Sequence, residues 1–285
     1  MRFAPVFVLL SAALCSAGTI TDTFNQPQNN CQYSSAAPYS QCDVIGNESL
    51  YDIQSASVTV AGNGATSITL DSNLGGISTP GVKSTLNGFT DSGVPGMTMT
   101  PGAVFFYASS NNTTVSNFVN PNVTDFANPS NVESLLTYAV PLVSDPANNL
   151  IAGDLYLVNT SSIETAQQAL NNPSNVYYRN NLPVLFTSGT LVATGNGVSV
   201  SDLGGSNAEY QISMSFTAPS GTVLTNGSGN VGLLWSSADC GNDFIQGDIS
   251  TGTSTPEPSS FILLLSGGTL VAFSAFARQR AKSRK

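Results

Sequence analysis

Apolar and polar residues alternate along many short segments of this chain. The clearest segment is Tyr210–Phe216, where Tyr, Ile, Met and Phe occupy every second position and Gln and Ser lie between them. A period of two places the apolar side chains on one face of an extended strand, so this segment predicts an antiparallel strand with one buried face. Shorter runs of the same kind predict further strands at Ala56–Ala61, Thr66–Leu70, Ala103–Ala108, Leu135–Val140, Asp154–Val158, Pro183–Thr187, Thr190–Thr194, Gly197–Val200 and Gly232–Trp235.

Turn-forming pairs separate these strands. Asn63-Gly64, Asn196-Gly197 and Asn226-Gly227 are typical of tight reversals between antiparallel neighbours. Many short strands with turns between them predict an all-β fold, which we interpret as an antiparallel β-sandwich of the jelly-roll or immunoglobulin-like kind.

One segment has the spacing of a helix instead of a strand. Ser161 and Glu164 fit the capping box that begins many helices, and Ile163, Ala166 and Leu170 follow at helical intervals. We therefore expect one short helix, which would cover an open end or edge of the sandwich.

The N-terminus has the three parts of a secretory signal peptide. Arg2 supplies a positive charge, Val6–Leu14 is apolar, and the small residues at Cys15–Ala17 suit cleavage directly after them. The chain is therefore expected to be exported.

The C-terminus carries a second targeting pattern. Pro256-Glu257-Pro258 stands directly before an uncharged, largely apolar run, which we assign as a transmembrane helix over residues 259–277. A basic tail over residues 278–285 follows and would stay on the cytoplasmic side of the membrane. Its cations, which form the basic stop, are Arg278, Arg280, Lys282, Arg284 and Lys285.

The motif, the apolar run and the basic tail, in this order, resemble the PEP-CTERM sorting domain of exosortase substrates in Gram-negative bacteria. The resemblance covers Thr255–Lys285, and the segment Gly232–Asp243 is similar to a closing motif of many such ectodomains. It implies export through the inner membrane, transient anchoring there, and recognition and cleavage by an exosortase. The released protein would reach the cell surface or an exopolysaccharide matrix. An ordinary single-pass anchor with a proline-containing linker is the alternative interpretation.

These assignments divide the chain into four parts. They are a signal peptide (1–18), a secreted β-sandwich domain (19–246), a flexible linker rich in Gly, Ser and Thr (247–255) and the sorting signal (256–285).

Positive charge is concentrated at the two ends of the chain. Of its 8 Lys and Arg residues, only Lys83 and Arg179 lie between residues 18 and 257, whereas all 17 Asp and Glu residues lie there. Two positive against seventeen negative charges give this segment a net charge of −15, compared with −9 for the whole chain. Such a surface repels nucleic acids and anionic lipid head groups, and it leaves divalent cations as a class of ligand.

The chain contains no histidine, which excludes Ser-His-Asp and Cys-His catalysis and histidine-ligated zinc or copper. No Ser-x-x-Lys sequence includes Lys83, and there is no Gly-rich phosphate-binding loop with a lysine. A pair of carboxylates could hydrolyse a glycoside, but the sequence singles out none of its acidic residues for this role. We therefore expect no enzymatic activity and no resident cofactor.

Three cysteines are left when the signal peptide, which contains Cys15, is removed. Cys31, Cys42 and Cys240 would then meet an oxidising compartment, where disulfides form. A Cys31–Cys42 bond would close a short polar loop, whereas a bond from either residue to Cys240 would tie the two ends of the domain together. Both pairings stay open, and an odd number of cysteines leaves one thiol over.

Three acidic residues near the end of the β-domain, Asp239, Asp243 and Asp248, offer the oxygen ligands that Ca²⁺ prefers. Their spacing differs from that of an EF-hand loop, and aspartates also stabilise turns. They are kept as a candidate calcium site, with turn formation as the alternative.

Taken together, these patterns predict a secreted, non-catalytic protein of the cell surface or of an exopolysaccharide-containing, biofilm-associated matrix. A carbohydrate- or Ca²⁺-binding adhesin is one alternative, and a carboxylate-based glycoside hydrolase is another.

Overall fold

Extended segments dominate the described residues. The computed structural model describes residues 15–21, 30–31, 44–45, 52–73, 89–90, 98–99, 102–109, 136–165, 168, 182–203, 210–225, 230–236 and 243–250. From Ser16 onward these residues belong to one compact unit, Ser16–Gly252.

Among the described residues, strands and two short 3₁₀ turns make up nearly all of the regular structure. The strands are β1 (Cys15–Thr21), β2 (Asn30–Cys31), β3 (Val44–Ile45), β4 (Ile53–Ala61), β5 (Ala65–Ser72), β6 (Phe89–Thr90), β7 (Thr98–Met99), β8 (Ala103–Ser109), β9 (Leu136–Pro141), β10 (Leu155–Val158), β11 (Ile163–Thr165), β12 (Pro183–Phe186), β13 (Gly189–Ala193), β14 (Gly195–Asp202), β15 (Tyr210–Thr217), β16 (Asn230–Ser236) and β17 (Phe244–Ser250). The 3₁₀ turns are Pro146–Asn148 and Thr160–Ser162.

A five-stranded sheet has the strand order β1-β4-β5-β15-β14. Its strands β4, β5, β15 and β14 pair in the antiparallel sense. In β15 the residues Tyr210, Ile212, Met214 and Phe216 are buried, and the Gln and Ser residues between them are half-buried. This sheet therefore buries one face and turns polar residues to the other, as its alternating sequence predicts.

A six-stranded sheet has the strand order β13-β10-β9-β8-β16-β17, and neighbouring strands pair in the antiparallel sense. Two of its central strands, β8 and β16, are buried at every position from Ala103 to Tyr107 and from Val231 to Ser236. Because successive side chains of a strand point to opposite faces, both faces of this sheet are covered there.

The first core cluster takes residues from both large sheets. Val58, Leu70 and Ile212 come from the five-stranded sheet, and Phe106 and Trp235 come from the six-stranded sheet. Trp235 is fully buried, so it contributes a large apolar area to this core.

The second core cluster lies on the opposite face of the six-stranded sheet. Phe105 and Tyr156 of this sheet belong to it, together with Ile163, Val184 and Phe186 of the paired strands β11 and β12. The rings of Tyr156 and Phe186 are tilted with centroids 5.6 Å apart, a favourable aromatic arrangement. The β11–β12 pair therefore provides the cover for this face.

Two buried aspartates connect strands of different sheets. Asp243, directly before β17, accepts a hydrogen bond at Oδ2 from the backbone N–H of Ile53 in β4, at 2.6 Å. Asp154, directly before β10, accepts one at Oδ1 from the backbone N–H of Gly195 in β14, at 2.7 Å. One contact therefore lies next to one edge of the five-stranded sheet, at β4, and the other lies at its opposite edge, at β14.

The ten strands predicted from alternation are all present, with boundaries shifted by at most three residues. The all-β class is confirmed in this sense, since antiparallel sheets dominate and there is almost no helix among the described residues. The short parallel pair β2–β3 is an exception to the antiparallel arrangement.

The predicted short helix is wrong in its first turn. Thr160–Ser162 form a 3₁₀ turn, and Ile163–Thr165 form strand β11, which pairs with β12. Ile163 packs in the second core, and the two buried residues of β11 flank the half-buried Glu164. Burial in this core outweighs the local helical spacing, because helix propensity is a weak preference that tertiary contacts override.

The two ends of the β-domain differ from their predicted boundaries. Strand β17 extends to Ser250, so Gly247–Ser250 belong to a strand and not to the linker expected over 247–255. Strand β1 begins at Cys15, inside the predicted signal peptide. Residues 1–14 and 251–285, which include the predicted transmembrane helix, lie outside the described residues. Within the described ranges, no helix has the length and apolar character needed to cross a membrane.

Candidate binding surface

The outward face of the five-stranded sheet carries mainly serine and threonine. In β4, for example, Ser57 lies between the buried residues Ala56 and Val58 and points away from the first core. We call this surface the hydroxyl face and define it by side chains of all five strands. They are Thr19, Ser55, Ser57, Thr59, Ser67, Thr69, Asp71, Asn196, Ser199, Ser201, Gln211, Ser213 and Ser215.

Strand register aligns these side chains in rows that cross the sheet. In the middle row, Thr69 lies opposite Ser57 on one side and Ser213 on the other, and Ser199 lies opposite Ser213. Thr19 extends the row onto β1, since its Oγ1 and the Oγ of Ser57 share a hydrogen bond of 2.9 Å. Neighbouring strands are about 4.8 Å apart, so five hydroxyl groups follow one another over roughly 19 Å.

A second row runs beside the middle one. Ser67 lies opposite Thr59 in β4 and opposite Ser215 in β15. The Nδ2 of Asn196 donates a hydrogen bond of 2.9 Å to the Oγ of Ser215 and so continues this row onto β14.

A third row, on the other side of the middle one, contains the acidic residue of this face. Asp71 lies opposite Ser55 and Gln211, and Ser201 lies opposite Gln211. The Oγ of Ser55 donates to one carboxylate oxygen of Asp71 at 2.7 Å, and the Nε2 of Gln211 donates to the other at 3.0 Å. Both oxygens of Asp71 are therefore engaged within the sheet.

The hydroxyl face is almost neutral. Asp71 is the one charged side chain in its three rows, and the described residues of the chain include no Lys, Arg or His. Each Ser or Thr hydroxyl can donate one hydrogen bond and accept two, and those in the rows are exposed or half-buried. The surface is therefore suited to a partner that also carries uncharged donors and acceptors over an extended area.

The second core contains a buried polar group, the hydroxyl of Tyr107. Tyr107 lies opposite Gly232, which lies opposite Asp248, and the Nε2 of Gln246 donates to the Tyr107 hydroxyl at 3.3 Å. Burial raises the pKa of Tyr107 to about 12; the hydrogen bond from Gln246 opposes this rise, and the charge of Asp248 adds to it. The phenol therefore stays protonated at physiological pH.

Gly232 is required for this arrangement because the tyrosine ring lies directly against it. A Cβ atom at this position would be 1.9 Å from the Cζ atom of Tyr107, far inside van der Waals contact. The sequence presents Gly232 only as one residue of a predicted strand, with no local sign of the ring above it.

The described residues do not bring the predicted calcium ligands together. Asp243 is buried, and its two carboxylate oxygens accept the backbone N–H groups of Ile53 and Phe244. Asp248 lies instead near the buried tyrosine, and Asp239 lies outside the described residues. In the part of the chain that the structure describes, no group of three or more His, Cys, Asp or Glu residues is arranged to hold a metal ion. The calcium site stays a prediction.

The other predicted site residues lie mostly beyond the described ranges. Cys31 is in β2, which pairs with β3, whereas Cys42 and Cys240 are not described, so the disulfide stays a prediction. The same holds for the sorting motif and the basic stop, which comprise Pro256, Glu257, Pro258, Arg278, Arg280, Lys282, Arg284 and Lys285.

Sequence reasoning missed the hydroxyl face, although part of its signal was present. Most polar positions of β4, β5 and β15 hold Ser or Thr in place of the charged residues common on protein surfaces, with Asp71 and Gln211 among the exceptions. No protein-family model, curated protein or solved structure matches the chain.

Proposed function

We propose that this chain is a secreted, non-catalytic protein of the cell surface or extracellular matrix, which an exosortase sorts and cleaves. The observation that carries the proposal is the order of Pro256-Glu257-Pro258, an apolar run and a basic tail in the sequence. The protein crosses the inner membrane, is anchored there transiently by residues 259–277, and is released to the outside.

We further propose that the secreted part is a β-sandwich. A core with residues from both large sheets supports this architecture, as do the contacts of Asp243 and Asp154 with the opposite sheet. Sandwiches of this kind commonly serve as binding or structural modules outside the cell.

The chemistry of the acidic residues supports a non-catalytic role. Asp71, Asp154 and Asp243 each accept hydrogen bonds from neighbouring strands, which is a structural use of a carboxylate. The absence of histidine from the sequence removes the commonest general acid and base.

The C-terminal mass of the extracellular protein tests the sorting proposal. We expect the exported form to lack the apolar run and the basic tail in cells that contain the exosortase, and to keep both in cells that lack it. Glu257→Ala should also preserve the tail, whereas the matched linker variant Ser254→Ala should be processed normally. An extracellular form with an intact C-terminus, in cells that contain the exosortase, would contradict cleavage.

A further inference from the structure

The hydroxyl face repeats in two directions. The strands that carry a row are about 4.8 Å apart, and rows follow every second residue, roughly 6.7 Å apart along the strands. The middle row alone places Thr19, Ser57, Thr69, Ser213 and Ser199 across all five strands. A surface with repeated, equivalent hydrogen-bonding groups fits a polymer with repeated, equivalent groups better than a single small molecule.

The charge of the protein limits the class of polymer that the hydroxyl face can bind. The segment between residues 18 and 257 carries a net charge of −15, so an anionic polymer is repelled. A cationic polymer would prefer the acidic positions elsewhere, because Asp71 is the one charge in the three rows and both of its oxygens are engaged. A neutral polymer rich in hydroxyl groups is not repelled by the negative charge and has no preference for acidic positions elsewhere.

The side chains of the face are also held in place before binding. Hydrogen bonds join Thr19 to Ser57 and Asn196 to Ser215, and threonine has a stiff side chain in a strand. Little conformational entropy is then lost on binding, and each hydroxyl keeps further donor or acceptor capacity.

We propose that the hydroxyl face of the five-stranded sheet binds a neutral polysaccharide, whose hydroxyl groups exchange hydrogen bonds with the middle row. This proposal rests on the extracellular location given under the proposed function, and it deepens that function by naming the partner class and the surface. The assay below uses the intact chain and does not depend on sorting.

Retention on glycans of different charge tests the proposal. The full-length protein in mild detergent is passed over microcrystalline cellulose and cross-linked dextran as neutral probes, and over immobilised alginate as an anionic probe. We expect retention on at least one neutral probe and none on alginate. The double variant Thr69→Val, Ser213→Ala removes two hydroxyls of the middle row and should weaken retention about tenfold.

A matched control and a folding check make the result decisive. Thr190→Val removes an exposed hydroxyl from β13 of the other sheet and should leave retention unchanged. If the double variant melts earlier than the wild type, the single variant Ser57→Ala is used in its place. The proposal is overturned if the wild type passes through both neutral probes, if alginate retains it equally well, or if loss of these hydroxyls has no effect. None of these results would alter the C-terminal mass that tests sorting.

Discussion

The two large sheets are built from similar strands but end in different surroundings. The five-stranded sheet buries one face, and its outward positions hold Ser and Thr. The six-stranded sheet buries both faces at its centre, because β11 and β12 cover the side that faces away from the first core. A covering pair of strands therefore decides which sheet keeps an uncovered face, and here that face is the hydroxyl face.

The largest loss of stability is expected when a side chain is truncated in the six-stranded sheet, whose central strands are buried on both faces. Phe105→Ala leaves a cavity in the second core and should lower the free energy of unfolding by about 3–5 kcal/mol. Thr69→Ala, the matched truncation on the hydroxyl face, should cost less than about 1 kcal/mol. Chemical denaturation of both variants measures the difference, and similar losses would contradict the contrast between the sheets.

A smaller loss of stability should appear at high pH, because the pKa of Tyr107 is higher in the folded protein than in the unfolded chain. Its pKa is 10.0 as an unperturbed side chain and about 12 in the folded protein, so the folded state keeps a proton that the unfolded state releases. The contribution of Tyr107 to the free energy of unfolding is constant well below pH 10 and should fall by roughly 2 kcal/mol as the pH rises from 10 to 12.

Tyr107→Phe removes the titrating group and keeps the ring against Gly232. Denaturation of wild type and variant below pH 10 and near pH 12 should show a smaller loss in the variant. An identical decline in both proteins would show that another group controls this pH dependence.

Substitution of the two aspartates that connect strands of different sheets should lower the free energy of unfolding. The loss should depend on how many carboxylate oxygens of each aspartate accept hydrogen bonds. Both oxygens of Asp243 accept backbone N–H groups, so Asp243→Asn turns one acceptor into a donor and should cost about 1–3 kcal/mol. Asp154→Asn is the matched control, since its Oδ1 accepts the N–H of Gly195 and its Oδ2 has no partner among the described residues. It should cost less than about 1 kcal/mol, and thermal melting compares the two. A larger loss for Asp154→Asn would contradict this account.

Alternation predicted the main strands because burial acts on every second residue of a strand. In β15 each of Ile212 and Met214 sits between polar neighbours, and both are buried in the first core. The pattern could not reveal β11, because three residues are too few to show a period and the surrounding sequence favours a helix. Contact of Ile163 with the second core decides its conformation, and that core is assembled from distant segments.

The residues of the candidate surface were visible in the sequence, but their rows were not. A shift of one residue in strand pairing would turn every side chain to the other face, so the rows depend on register. In β14 an irregularity between Gly195 and Val198 sets which residues face outward, and no local pattern predicts it. The predicted sorting signal is the opposite case, since its prediction depends on the sequence alone.

The hydrogen bond between Asp243 and Ile53 also has a consequence for the order of folding. It joins residues 190 positions apart, and the strand that follows Asp243 is the last of the sheet. Closing so long a loop costs entropy and slows folding. If the chain is exported N-terminus first, as proposed, this hydrogen bond can form only after Asp243 has emerged. On the proposed route of export, the predicted sorting signal would follow soon afterwards, so this contact would form at about the moment when the chain becomes available for cleavage.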